Sequence, residues 1–230
     1  MSVAESKTAP SEPSAPSATV RLKREELFSC YSHLLGALGA VVGTVVLAVL
    51  SRSTAGVVVS LVYGVSMVFM FGASAAYHAL KDTENGESFW RRVDHLAIFF
   101  MIAGSYTPIC WFHLSGTWRW SILGTQWGLV LLGAVFKLLF LGAPRWVTAA
   151  IYVIMGWVVV VPLHRLLASW DTATTALLVT GGVAYTVGAV IYALKRPDPI
   201  PGFLGFHEVF HLAVVVGAAI HYIAIFRIVT

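Results

Sequence analysis

Seven long apolar stretches alternate with short polar connections along this chain, at roughly 28–50, 55–79, 94–113, 118–141, 146–167, 173–194 and 205–227. Each approaches or exceeds the ~20 residues that a helix needs to cross the hydrocarbon core of a bilayer. The connections carry turn formers, as in KDTENGES at 81–88 and KRPDPIPG at 195–202. The pattern predicts an all-α integral membrane protein, a bundle of seven transmembrane helices forming one domain over 25–230. Residues 1–24 are rich in Ser, Pro and Ala and are expected to be a disordered cytoplasmic tail. They contain no apolar core of the kind a signal peptide needs.

Composition agrees with this reading. The chain is 58% hydrophobic and 11% charged, with a mean hydropathy of +0.80, whereas soluble domains carry about 25% charged residues. The net charge of +4 could suggest a nucleic-acid partner. Its placement at span ends points instead to membrane orientation, and no nucleic-acid role is expected. Eleven Lys and Arg residues fall on the side of the tail and the second, fourth and sixth connections, and four on the other. The N-terminus is therefore expected in the cytoplasm, the C-terminus outside, and the protein in the inner (plasma) membrane. Lys137 is the one charge partly embedded in a span, and it is expected to snorkel. Gly39/Gly43 and Gly124/Gly128 have the spacing of close helix packing. Cys30 and Cys110 fall at opposite faces and are expected to stay unpaired.

Ionisable groups within spans are costly, which makes each a functional candidate. His78 ends the second span, Asp94 opens the third, and His207 and His211 start the seventh, all at the cytoplasmic level. His207 and His211 belong to HEVFH, an HExxH spacing that places two imidazoles on one helix face. With His78 they supply the three protein ligands of a catalytic zinc site, whose fourth place is left to water. Zinc lowers the pKa of such a water toward about 7. Asp94 could take the water's proton, and Ser74, one turn before His78, could hold the water or a substrate carbonyl. Each residue also has a plainer reading. His78 could bond between helices, Asp94 could be a helix N-cap, and Ser74 could be a small packing residue. Their shared level favours the joint site. His33 is a reserve ligand, and His221, about 21 Å beyond His207 by helix rise, is structural or lines a pathway.

SAAYH (74–78), DHLAIFFMIAGSYTP (94–108) and HEVFHLAVVVGAAIH (207–221), together with YSHLLGALGA (31–40), resemble the hemolysin III family. That family is the bacterial branch of the progestin and adipoQ receptor group, which includes the adiponectin receptors. The resemblance runs through all seven spans in order. It implies seven helices, a cytoplasmic N-terminus and a zinc near the inner leaflet. It also implies His78, His207 and His211 as zinc ligands, with Asp94 and Ser74 beside the zinc-associated water. Alkaline ceramidases in the wider superfamily imply hydrolysis of a lipid amide.

The leading expectation is a zinc-dependent intramembrane hydrolase of a lipid amide or ester, with a membrane lipid as substrate or ligand. A cytolysin or pore-former is the alternative that the family name suggests, though the spans offer few charges to line a pore. A zinc-stabilised sensor or envelope regulator without turnover would share the site. An intramembrane protease with Glu208 as base ranks last, because no acidic residue lies in the middle of any span.

Overall fold

The computed structural model describes residues 24–81, 88–200 and 203–230. Apart from Arg24, the expected tail over 1–24 lies outside the described residues. The described chain is helical: α1 (Arg24–Leu50), α2 (Thr54–Ala79), α3 (Phe89–His113), α4 (Gly116–Leu139), α5 (Arg145–Gly156), α6 (Leu163–Leu167), α7 (Thr172–Leu194) and α8 (Phe206–Val229). Six of these (α1–α4, α7 and α8) are long and apolar enough to cross a membrane. Helix is the expected answer in that setting, because it satisfies every backbone N–H and C=O within one segment. Polar turn residues begin three of the helices. Ser53 Oγ accepts from the Gly56 N–H at 3.0 Å, Ser88 Oγ from the Arg91 N–H at 3.1 Å, and Asp171 Oδ1 from the Thr174 N–H at 2.6 Å.

The stretch expected as an unbroken fifth span over 146–167 is interrupted. After α5 the chain tightens into a 3-10 turn (Trp157–Val160) before Pro162 and α6. Pro162 has no N–H and its ring crowds the carbonyl four residues earlier, which kinks or breaks a helix; Pro108, by contrast, sits inside the continuous α3. Neighbouring helices satisfy the freed backbone groups. Gln126 Nε2 donates to the Met155 carbonyl at 3.0 Å, and the Tyr106 hydroxyl donates to the Gly156 carbonyl at 2.6 Å. That hydroxyl also accepts from the Val159 N–H at 2.6 Å. The interrupted stretch still runs from one end of the bundle to the other. Arg145 lies 5.4 Å over the rings of Tyr192 and Phe206, while His164 and Arg165 stack on Trp118 at the start of α4.

Helices α1, α2, α3 and α4 pack in sequence, α7 packs on α8, and α8 closes against α1 and α3. Of the expected glycine pairs, Gly39, Gly124 and Gly128 face open space, whereas Gly43 is a tight contact: a Cβ there would come within 2.8 Å of the Tyr222 ring of α8. A Cβ at Gly64 would come closer still, within 2.1 Å of Thr44 Oγ1, which brings α2 tight against α1. Lys137 also departs from expectation. It does not snorkel but is buried, donating to Thr148 Oγ1 at 2.8 Å. Cys30 and Cys110 are both free thiols.

Candidate metal centre

His78 lies in the last turn of α2, and His207 and His211 lie in the first two turns of α8. The spacing of four residues puts the two α8 rings on one face, and the packing of the helices brings His78 opposite them. The Nε2 atoms of His207 and His78 are 3.3 Å apart, and those of His211 and His207 are 3.1 Å apart. One ligand atom from each of the three residues lies within 4.8 Å of the others, a group able to hold a metal ion. Tetrahedral zinc with Zn–N near 2.0–2.1 Å separates its nitrogen ligands by about 3.3–3.4 Å. The donor set fits zinc, and two of its three separations are close to this value, with all three donor atoms within 4.8 Å. Neither His95 nor His221 belongs to the group. The His95 carbonyl accepts from Tyr152 Oη, and the His221 ring bonds the Leu178 carbonyl at 3.0 Å.

Glu26, in the first turn of α1, was not singled out from the sequence. One of its carboxylate oxygens is 2.7 Å from His78 Nδ1, and the other binds Lys81. A carboxylate on the far nitrogen of a ligand histidine sets its tautomer and ring orientation, leaving Nε2 free to face a metal. The clue was available: Glu26 sits at the same membrane level as His78.

Asp94 and Ser74 adjoin the histidines without joining the three-residue group. Both line the space beside the rings. The N-cap reading of Asp94 does not hold, because α3 starts at Phe89 and Ser88 is its cap. Its carboxylate is therefore free of that local duty. Glu208, in contrast, is fully engaged. It accepts from the Ser29 hydroxyl at 3.0 Å and from the Gly205 N–H at 3.0 Å. It ties α1 to the start of α8, which is a structural task rather than that of a general base.

A cavity of about 650 Å³ extends away from the histidines between the helices. His207, His211, Asp94 and Ser74 line one end, and Leu178 and Trp170 lie at the other. Its walls between include Met70, Ile98, Met101, Ile102, Val153 and Val214, an apolar surface.

The family model described as "Haemolysin-III related" matches residues 22–222. "Hemolysin-3" of Bacillus cereus is 30% identical over 206 residues, covering 88% of this chain and 90% of the relative. "Hemolysin-3 homolog" of Bacillus subtilis (strain 168) is 31% identical over 199 residues, covering 85% and 90%. The "Heptahelical transmembrane protein ADIPOR2" of Oryza sativa subsp. japonica is 31% identical over 183 residues, covering 69% and 79%.

Proposed function

The chain belongs to the haemolysin-III related family, and from that premise and the three-histidine group we propose a zinc-dependent membrane hydrolase of a lipid amide or ester. The observation that carries the proposal is the convergence of three histidine rings, with Nε2 of His207 3.3 Å from that of His78 and 3.1 Å from that of His211. Zinc bound there supplies Lewis acidity, polarising the scissile carbonyl and acidifying a water. His78, held by Glu26, and the α8 pair His207 and His211 hold the metal from two helices. Ser74, which lines the same cavity, orients the Asp94 carboxylate. Asp94 accepts the proton of the attacking water as its oxygen bonds to the carbonyl carbon. It then returns that proton to the amine or alcohol that leaves. The apolar walls of the cavity receive the acyl chain.

The same reading makes the interrupted stretch 145–167 a further crossing, giving seven in all, with a cytoplasmic N-terminus in the inner membrane. The eleven-to-four division of Lys and Arg supports it, as does the word "heptahelical" in the rice relative's name. The test is to purify the protein in detergent, measure bound metal, and assay a lipid panel beside His211→Ala and Asp94→Asn. The expected result is one zinc per chain in the wild type, loss of metal and turnover in His211→Ala, and loss of turnover alone in Asp94→Asn. Full metal stoichiometry in a His207→Ala/His211→Ala double variant would end the zinc assignment. Zinc bound with no turnover on any lipid would favour a sensor. The Bacillus cereus relative's name suggests lysis as a second reading, and equal leakage of dye-loaded vesicles with wild type and Asp94→Asn would favour it.

A further inference from the structure

His211 differs from His78 in what holds its ring. The Nδ1 of His78 has Glu26, whereas the Nδ1 of His211 is buried with no hydrogen-bond partner. A ligand histidine almost always has a hydrogen bond at its second nitrogen, which fixes the ring. Here the neighbour on α1 is His33, only 3% exposed, with both of its own nitrogens unpartnered. The His33 ring lies over that of His211, with centroids 3.9 Å apart and planes 31° apart. Phe71 of α2 braces it, at 5.1 Å and 83°.

We propose that His33 is a positioning residue for the metal centre, fixing the ring of His211 by tilted ring stacking rather than by a hydrogen bond. The backbone arrangement supports this role. Ser29 and His33 are one turn apart on α1, and Glu208 and His211 are one turn apart on α8. The Ser29–Glu208 hydrogen bond therefore sets the register of the two helices one turn from the stack. There is also an electronic reason. A metal on Nε2 withdraws electron density from the His211 ring, and a neutral aromatic face beside it is attracted to that positive character. The stack thus favours the metal-bound form over the metal-free one.

The inference rests on the metal-site reading, so its test reads metal binding and not turnover. Cobalt(II) is titrated into detergent-purified wild type, His33→Leu and His33→Phe, with affinity taken from chelator competition and geometry from the visible absorption bands. Thermal melts of the metal-free forms confirm folding. His33→Leu, similar in volume but without a ring face, is expected to bind about ten- to a hundredfold more weakly and to show altered bands. His33→Phe keeps the face and loses both nitrogens, and it is expected to restore wild-type bands and most of the affinity. Wild-type affinity and bands in His33→Leu would overturn the proposal, as would a His33→Phe variant as weak as His33→Leu. Wild type that binds no cobalt would overturn the metal-site reading itself, an outcome distinct from any difference among the three proteins.

Discussion

Removing the Glu26 carboxylate tests how the site is held together. Glu26 Oε2 lies 2.7 Å from His78 Nδ1, and His78 is almost completely buried while Glu26 keeps 18% of its side chain exposed. In Glu26→Ala the buried Nδ1 loses its partner, which costs about 1–3 kcal/mol in a folded protein. Part of that cost falls equally on the metal-free and metal-bound forms and cancels in an affinity measurement. What remains is the lost bias of the ring toward presenting Nε2, together with the lost basicity that a carboxylate lends its histidine. Removal of such partners typically weakens metal binding by ten- to a hundredfold, or about 1.4–2.8 kcal/mol. Glu26→Gln keeps an acceptor oxygen for Nδ1–H and loses only the charge, so its loss should be the smaller. Lys81, the other partner of Glu26, provides the control: Lys81→Met should shift affinity by less than either. The assay is chelator competition on purified protein, with metal content measured independently. Wild-type zinc affinity in Glu26→Ala would refute the reasoning and show that packing alone orients His78.

Glu208→Gln should keep its metal but melt earlier, by the equivalent of about 1–3 kcal/mol, because a buried acceptor of two hydrogen bonds becomes partly a donor; loss of turnover with stability intact would instead support a base at Glu208. Gly64→Ala drives a methyl into Thr44, so the bundle should lose about 1–3 kcal/mol to overpacking, read as a lower melting temperature; an unchanged melt would show that α1 and α2 are not tightly packed there. A C-terminal fusion to a phosphatase that works only outside the cytoplasm should be active, and a fluorescent fusion that requires the cytoplasm should be dark. The reverse pattern would invert the proposed orientation.

Sequence alone determined where most of the chain is helical and how far along its helix each polar group lies. Length, apolar composition and the requirement to satisfy backbone groups in lipid leave little else for α1–α4, α7 and α8. Depth follows from position along a helix, so His78, His207 and His211 could be placed at one level, and the four-residue spacing put two of them on one face. Rotation about each helix axis was not legible. A helix that is apolar on nearly every side carries no polar stripe to show which face turns inward. That choice depends on which side chains interlock, as where Gly64 admits Thr44. The tertiary structure therefore decided that Glu26 meets His78, that His33 stacks on His211, and that Glu208 serves Ser29 rather than a water. It also decided the fate of the fifth apolar stretch. The sequence predicts an unbroken span there, whereas the structure shows a break whose carbonyls are taken up by Tyr106 and Gln126 from neighbouring helices.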